Sequence, residues 1–347
     1  MSKSNEKTAN IYKIDIAVIG GGPAGLAASI KASSCGADVL LIEREKALGG
    51  ILKQCIHDGF GLIRFKEKLT GPEYAKRFID AFNEARIKAL TETFVTDISI
   101  IDGSKSDGAS SKSDFVLKAV NRSGVITIEA KALIFATGCR ERTAKQVFIH
   151  GTRPSGIFTA GTAQHLINLQ GQLPAKRCVI LGSGDIGLIM ARRLTLEGAH
   201  VLGVYEAKDK PSGLIRNIHQ CLYDFNIPLH LSMTVTRVFG RDRLEAVEIC
   251  RVDNDLAPIS GTEEIIECDG LILSVGLIPE NELAESLGAK LSPGGGLICD
   301  DNMMTTLPGV FCCGNAYKVY DLVDYVSDCG EVAGMAAAAY IKEVSGI

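Results

Sequence analysis

A glycine-rich turn between an apolar strand and a helix of small residues constrains this 347-residue chain more than any other feature. Ile14–Ile19 predicts a buried strand, and a helix is predicted from Pro23 to about Ser34. A second strand, Asp38–Ile42, ends on Glu43. The turn has the spacing G-x-G-x-x-G, and an acid after the second strand completes the fingerprint of a dinucleotide-binding unit.

Each glycine at the fingerprint spacing has a physical task. Gly20 permits the tight turn, Gly22 lets a diphosphate approach the backbone, and Gly25 lets the helix pack closely on the strand. The diphosphate would lie at the helix N-terminus, where unpaired N–H groups favour an anion. Glu43 would accept hydrogen bonds from the ribose hydroxyls.

The same pattern occurs a second time. A strand at Arg177–Leu181 runs into Gly182-Ser183-Gly184-Asp185-Ile186-Gly187, and the next strand ends on Glu206. Two complete nucleotide-binding units therefore lie in one chain. The carboxylate of Glu206 favours NAD over NADP because it would repel a 2′-phosphate, although Lys208 and Lys210 lie close by in the sequence.

Composition excludes several classes of function. The chain is 46% apolar with a net charge of −4, and it has no basic run typical of nucleic-acid binding. No apolar stretch is long enough to span a membrane, and the polar N-terminus lacks the apolar core of a signal peptide, so we expect a cytoplasmic protein. The eleven cysteines include no C-x-x-C pair, so we expect reduced thiols and no metal site.

The remaining segments predict a β-meander and a closing strand for each unit. Between them the pattern favours helices at Ile51 to about Leu62, Glu73–Lys88 and Pro211–Phe225. The Ser- and Gly-rich stretch Asp102–Ser113 is typical of a flexible hairpin loop. Cys312 and Cys313 are adjacent on a predicted strand, so their side chains should point to opposite faces.

With both fingerprints and the Ala136-Thr137-Gly138 loop, the chain resembles the two-dinucleotide-binding-domain flavoproteins, the superfamily of the pyridine nucleotide–disulfide oxidoreductases. The resemblance implies an α/β fold with two Rossmann-like, three-layer ββα domains, the second inserted into the first. Residues 1–149 and 290–347 would bind FAD, and residues 150–289 would bind NAD(H). The C-terminal interface domain of glutathione reductase-like members is not expected.

The resemblance also implies which residues bind the cofactors. Asn315 stands where most members have an acid that holds the ribityl chain; its amide oxygen can still accept a hydrogen bond, but it carries no charge. The FAD-binding residues implied are Gly20, Gly22, Pro23, Ala24, Gly25, Glu43, Arg44, Gly49, Gly50, Gln54, Val95, Ala136, Thr137, Gly138, Gly314 and Asn315. Those implied for NAD are Gly182, Gly184, Asp185, Ile186, Gly187, Glu206 and Gly276.

Several blocks are similar to one subgroup of the superfamily. They include GGILKQCIHDGFG (49–61), SVGLIPEN (274–281) and YDLVDYVSDCGEVAG (320–334). These blocks resemble the NAD/FAD-binding subunit that accompanies glycerol-3-phosphate dehydrogenase-like flavoproteins and the opine oxidase, sarcosine oxidase and hydrogen cyanide synthase systems. The resemblance implies that the partner is a flavoprotein dehydrogenase or oxidase subunit.

Both dithiols of the disulfide reductases are missing from the sequence. Leu52 and His57 stand where glutathione reductase-type members have cysteines, and 158–164 lacks the C-x-x-C of thioredoxin reductases. What remains is hydride transfer between nicotinamide and flavin, which requires no side-chain acid or base. We therefore expect an FAD-dependent NAD(H) oxidoreductase that exchanges electrons with its partner subunit.

Two side chains near the expected flavin ring are candidate catalytic residues. His57 could tune the flavin potential or relay a proton, and local packing is the equal alternative. Cys55 could act as a thiolate only if its pKa were lowered, and buried packing is the better interpretation. Two other functions stay open: a stand-alone NADH oxidase or diaphorase, and a structural subunit whose second nucleotide does not turn over.

Overall fold

The computed structural model describes residues 11–101 and 115–346. Both repeated units contain strands and helices. The predicted loop at Asp102–Ser113 lies outside these residues. The strands are β1 Ile11–Ile19, β2 Val39–Ile42, β3 Asp58–Phe60, β4 Leu69–Thr70, β5 Lys88–Leu90, β6 Phe94–Ile100, β7 Phe115–Asn121, β8 Gly124–Phe135, β9 Cys139–Glu141, β10 His150–Gly151, β11 Ile157–Thr159, β12 Arg177–Leu181, β13 His200–Glu206, β14 Leu229–Leu231, β15 Met233–Gly240, β16 Leu244–Arg251, β17 Glu264–Glu267, β18 Gly270–Leu273, β19 Leu277–Pro279 and β20 Val310–Cys312. The α-helices are α1 Pro23–Ser34, α2 Gly71–Glu84, α3 Ala160–Gln170, α4 Asp185–Leu196, α5 Ile215–Cys221, α6 Glu282–Ser286 and α7 Val323–Ser345.

The chain divides into two compact units, one inserted into the other. The first unit comprises Met1–Arg140 and Ile278–Ile347, and the second comprises Glu141–Leu277. Both boundaries predicted from the sequence lie later in the chain. Burial explains the observed positions: Ile149 packs in the core of the second unit, whereas Ala284 and Ala289 pack in the core of the first.

The first unit is built on one continuous sheet. Its strand β8 pairs with parallel strands and with the antiparallel meander. Parallel strands follow the order β5-β2-β1-β8, with β20 beside β8. The first half of β8 also pairs antiparallel with β7, which pairs with β6, and this is the predicted meander. Helices α1 and α7 cover one face of the sheet, and the meander and α6 contribute to the core on the other.

The second unit repeats this arrangement with a separate meander. Its parallel sheet has the order β11-β18-β12-β13-β14, and β10, β15, β16 and β17 form a second sheet. Side chains of β12 alternate between two cores: Cys178 and Ile180 pack with the helices, and Val179 and Leu181 pack with the meander. Each unit therefore has the expected three layers, and the predicted α/β fold with two Rossmann-like domains is confirmed.

Most predicted elements agree with the structure, and three differ. The segment predicted as a helix from Ile51 is a short 3₁₀ turn at Gly50–Gln54 followed by β3. Gly59 and Gly61 have φ values of +116° and +81°, which no α-helix tolerates.

The second difference is at Pro211–Phe225, where α5 begins only at Ile215, after a loop that bonds to the second glycine turn. The third is at β8, where the last strand of the predicted meander and the closing strand form one continuous strand. The prediction for the adjacent cysteines is confirmed: Cys312 and Cys313 pack in cores on opposite faces of the sheet.

Helices α1 and α7 touch through small residues, and this contact places the N-terminus of α1. A Cβ at Gly330 would overlap the carbonyl oxygen of Ala24, and one at Gly334 would overlap that of Ala28. Of the helices within 11–101 and 115–346, none combines the length and apolar character that a membrane crossing requires.

We expect Gly334→Ala to destabilise the protein by about 1–3 kcal/mol because the new methyl group forces α7 away from α1. An alanine in a helix interior is normally more stable than glycine by about 0.5–1 kcal/mol, so the expected sign is reversed here. Urea unfolding of both proteins measures the change. Gly294→Ala is the control, since its Cβ would meet only Ser292 Oγ at 3.9 Å. An unchanged or raised midpoint for Gly334→Ala would contradict the close contact.

Candidate functional site

The packing of the protein requires the first and the last glycine of each turn, because a Cβ there would overlap a backbone carbonyl. Gly20 has a φ of +109°, and a Cβ there would overlap the carbonyl oxygen of Ala136. A Cβ at Gly25 would overlap the carbonyl oxygen of Gly20. In the second unit Gly182 and Gly187 are equally confined, by Ser274 and by the Gly182 carbonyl. These glycines hold each helix against its sheet.

Neither packing nor backbone conformation requires a glycine at the middle position of each motif. Gly22 has an ordinary φ of −77°, and a Cβ there would have Gly50 Cα, at 3.9 Å, as its nearest neighbour. Gly184 has a φ of −65°, and a Cβ there would meet no heavy atom of the described chain within 4 Å. The space beside both glycines suits a diphosphate at the N-terminus of α1 or α4, where no side chain caps the helix. The residues therefore fit one dinucleotide in each unit.

The two acids occupy equivalent positions and hold their glycine turns. Glu43 is buried; its Oε2 accepts the N–H of Gly21 at 2.7 Å, and its Oε1 accepts that of Glu45 at 2.8 Å. Glu206 is buried too and accepts the N–H of Ser183 at 3.0 Å and that of Lys208 at 3.1 Å. Each carboxylate retains acceptor sites for ribose hydroxyls.

Backbone bonds repeat the equivalence on the other side of each turn. Ala136 donates its N–H to Ile19 O at 2.9 Å, as Ser274 does to Leu181 O at 2.7 Å. In the first unit the Ala136-Thr137-Gly138 loop is held by Glu280: its carbonyl accepts the Thr137 hydroxyl at 2.6 Å, and its N–H donates to Gly138 O at 3.0 Å. In the second unit Gly276, with a φ of +104°, accepts the N–H of Arg142 at 3.0 Å.

The loop after β2 closes on the first glycine turn. Gly49 donates its N–H to Gly21 O at 2.8 Å. Gly50 has a φ of +56°, and a Cβ there would lie 2.9 Å from the Cα of Gly22. Arg44 is exposed and forms an ion pair with Glu280 at 3.2 Å. Gly49 and Gly50 therefore lie against the first glycine turn.

The tail of the chain contributes Gly314 and Asn315 to the same unit. A Cβ at Gly314, which has a φ of +64°, would lie 2.7 Å from the Cβ of Ala24 on α1. Asn315 Oδ1 accepts the N–H of Tyr320 at 3.1 Å, and its amide nitrogen donates to Cys139 Sγ at 3.5 Å. The amide oxygen therefore has one protein donor and retains one acceptor site.

The side chains of four expected contact residues lie in the core, in the 3₁₀ turn or on α4, and their cofactor contacts stay predictions. Val95 is buried in the core beside the sheet, and Gln54 is buried in the 3₁₀ turn. Asp185 Oδ1 accepts the N–H of Leu214 at 2.8 Å and also accepts a bond from the side chain of Asn217. Ile186 is partly exposed on α4. Asp185 Oδ1 thus supports the chain after β13, and the cofactor contact expected of Asp185 stays a prediction.

The candidate catalytic side chains follow the Gly49-Gly50 pair in different environments. His57 is half-buried, packs against Phe60 with ring centroids 5.0 Å apart, and has Nδ1 3.3 Å from Asp58 O. Cys55 is buried, and its Sγ donates to Ile51 O at 3.4 Å. Burial raises the pKa of Cys55 to about 12, so the thiol stays neutral at physiological pH. This favours packing for Cys55.

Sequence reasoning missed three residues that shape the sites. Ser183 and Ser212 both donate to Glu206, and Glu280 holds the Thr137 loop. Ser183 could have been noticed because it replaces a glycine of the first turn. Ser212 and Glu280 carry no signal in the sequence, because only the folded chain brings them to these positions. Within 11–101 and 115–346, no group of three or more His, Cys, Asp or Glu side chains could hold a metal ion.

Comparisons with known proteins agree with this geometry. Residues 14–330 match the family described as "Pyridine nucleotide-disulphide oxidoreductase". An opine oxidase subunit of Agrobacterium tumefaciens (strain Ach5) is 24% identical over 95% of this chain and 66% of its own length. Hydrogen cyanide synthase subunit HcnB of Pseudomonas protegens is 27% identical over 79% of this chain and 58% of its own. The chain thus spans less than two thirds of these relatives.

A solved structure shows the same fold. The thioredoxin reductase of T. acidophilum superposes with a TM-score of 0.72 at 22% identity. The match covers 94% of this chain and 98% of that one.

We expect Gly22→Ala to leave the unfolding midpoint of the apoprotein unchanged or slightly raised and to lower flavin binding at least roughly tenfold, ~1.4 kcal/mol. The new methyl group occupies only the space where a diphosphate would lie. Gly184→Ala should spare the flavin and weaken nicotinamide nucleotide binding by a similar factor. Flavin content after purification and nucleotide titration measure the two effects. Each variant is the control for the other, and loss of flavin in Gly184→Ala would contradict the assignment.

We expect Cys55 to resist iodoacetamide at pH 8 in the native protein and to react once the chain is unfolded, because the reagent attacks thiolates and burial keeps this thiol neutral. Mass spectrometry of the Cys55 peptide measures the modification. Cys55→Ser should reduce its flavin with NADH at a rate within about threefold of wild type. Rapid native alkylation, or a drop in rate of more than about tenfold, would restore the catalytic interpretation.

Proposed function

Because the chain belongs to the pyridine nucleotide-disulphide oxidoreductase family, whose members use FAD and NAD(P)H, we propose that it transfers a hydride between NADH and FAD and exchanges the electrons with a partner flavoprotein subunit. One observation supports this most. Neither the backbone conformation nor the packing of the protein requires glycine at Gly22 or Gly184, so each unit has open space for a dinucleotide. Two such cradles in one chain suit one resident and one exchangeable nucleotide.

The assignment of the two sites follows the order of the motifs. FAD would bind the first unit, with Gly22 and the N-terminus of α1 at the diphosphate, Glu43 at the ribose and Asn315 near the ribityl chain. NADH would bind the second unit through Gly184 and Glu206. Gly314, confined against Ala24, keeps the tail beside the N-terminus of α1.

The chain itself would bind and orient, while the flavin supplies the redox chemistry when bound. Glu43 and Glu206 hold the glycine turns by accepting their N–H groups. A turn held in this way has less conformational freedom to lose when a ligand binds. His57, which follows the Gly49-Gly50 pair, is the side chain we propose for tuning the flavin or relaying a proton.

A dithiol relay is not part of this proposal. The eleven cysteines all lie in the described part of the chain and form no disulfide, and Leu52 and His57 occupy the positions where a redox disulfide would stand. Burial raises the pKa of Cys178 to about 12 and that of Cys268 to about 11, so these buried thiols stay neutral near pH 7. Electrons on the flavin therefore need an acceptor other than a disulfide of this chain.

The partner is proposed from the relatives. Both the opine oxidase relative and HcnB are named as subunits of larger enzymes. A partner that carries the substrate chemistry would supply electrons to the flavin or receive them.

We expect NADH to bleach the visible flavin band of the purified protein under anaerobic conditions, and NADPH to require at least roughly tenfold higher concentration, because Glu206 repels a 2′-phosphate. An anaerobic titration with each nucleotide measures both. A flavin that NADH cannot reduce would contradict the proposal and favour a structural subunit.

The same preparation distinguishes a stand-alone oxidase. In air, the reduced flavin should reoxidise slowly, whereas an added artificial electron acceptor should sustain turnover at a much higher rate. Oxygen consumption as fast as turnover with the artificial acceptor would mean that no partner is needed.

A further inference from the structure

The second glycine turn differs from the first at two positions that carry polar side chains. Ser183 and Asp185 stand where the first turn has Gly21 and Pro23. Both side chains contact the loop that joins β13 to α5, residues 207–214, which we call the 207–214 loop. The first turn has no side chains that could do the same.

Three hydrogen bonds join the second turn to this loop, and a fourth joins the loop to Glu206. Ser183 Oγ accepts the N–H of Ser212 at 3.0 Å, and Ser183 O accepts that of Gly213 at 2.9 Å. Asp185 Oδ1 accepts the N–H of Leu214 at 2.8 Å, and Ser212 donates its hydroxyl to Glu206 at 3.3 Å. Gly213 fits tightly here, since a Cβ would lie 2.6 Å from a side-chain carbon of Leu188.

The hydroxyl of Ser183 also acts directly on the acid that would recognise the ribose. It donates to Glu206 Oε2 at 2.5 Å, where the N–H of Ser183 and the hydroxyl of Ser212 donate as well. Glu206 Oε1 accepts the N–H of Lys208 at 3.1 Å. With three donors on Oε2, Oε1 is the oxygen with more acceptor capacity left for a ligand. Glu43, by contrast, is held by backbone N–H groups of Gly21 and Glu45.

We propose that Ser183, assisted by Ser212, is a positioning residue that orients the Glu206 carboxylate for the adenosine ribose and so sets the preference for NADH over NADPH. The inference rests on the proposed function, in which the second unit binds NADH. A carboxylate held in one orientation accepts the 2′-hydroxyl and repels a 2′-phosphate. Without the Ser183 hydroxyl the carboxylate loses one of the three donors to Oε2 and is held less firmly, and the 207–214 loop loses one of its bonds to the turn.

The loop itself carries two exposed cations, with the exposed acid Asp209 between them. Lys208 and Lys210 are exposed on it, and Arg216 is exposed in the first turn of α5. These cations would attract a 2′-phosphate, so the orientation of Glu206 decides which nucleotide is favoured. Removing the Ser183 hydroxyl therefore weakens the attraction for the 2′-hydroxyl and leaves the cations in place.

Calorimetric titration of the FAD-loaded full chain with NAD⁺ and with NADP⁺ tests the proposal without turnover. For Ser183→Ala we expect the Kd for NAD⁺ to rise about tenfold, while that for NADP⁺ changes by less than about twofold. Ser212→Ala should shift the ratio in the same direction by about two- to threefold, because its bond is longer. Reduction of the flavin at saturating NADH should keep its rate.

Thr236→Ala is the matched control. Thr236 donates its hydroxyl to a carboxylate oxygen of Glu248 at 2.7 Å in the meander of the same unit, so its loss should leave both Kd values unchanged. An unchanged ratio in Ser183→Ala, or an equal weakening of both nucleotides, would overturn the positioning role. If Ser183→Ala does not fold, the ratio in Ser212→Ala decides. A wild-type protein that binds neither nucleotide would overturn the proposed function instead.

Discussion

Each nucleotide unit depends on a carboxylate at the end of its second strand that accepts the N–H of the residue after the turn's first glycine. Glu43 bonds to Gly21 in this way, and Glu206 bonds to Ser183. Both acids are buried, and a buried carboxylate without donors would be costly, so acid and turn hold each other. The glycine turn also places the N-terminus of α1 or α4, where a diphosphate would lie. The position of the acid proposed for the ribose and the geometry of the turn therefore rest on the same bond.

The two copies of this arrangement are completed by different parts of the chain. In the first unit, the tail returns: α7 packs against α1 through Gly330 and Gly334, and Gly314 lies against Ala24. In the second unit, side chains of the turn hold the 207–214 loop. The edge strand shows the same contrast, since β20 comes from the end of the chain and β11 precedes the other strands of its sheet. The two units thus share the motif but differ in the segments that pack against it.

Sequence reasoning succeeded where a residue's role is local. The strand–turn–helix order, the glycine spacing and the acids follow from the conformational freedom of glycine and the period of apolar residues, which act within a few positions. It failed at two predicted helices, one of them because a distant segment decides where it begins. The helix predicted from Ile51 is interrupted by glycines with positive φ, and the helix predicted from Pro211 begins late because the 207–214 loop bonds to the second turn. Asp185 matched a binding position but accepts bonds from that loop and α5.

The sequence by itself determined that the chain has two dinucleotide-binding units, which glycines stand at the fingerprint positions of each, and that no dithiol stands at the usual positions. These properties depend on residue identity at fixed spacing. Only the tertiary structure decided which glycines serve the protein and which leave space for a ligand. It also decided that Cys55 is a buried neutral thiol and that Ser183 and Ser212 converge on Glu206. Burial and hydrogen bonds between residues far apart in the chain exist only once the strands and helices have packed.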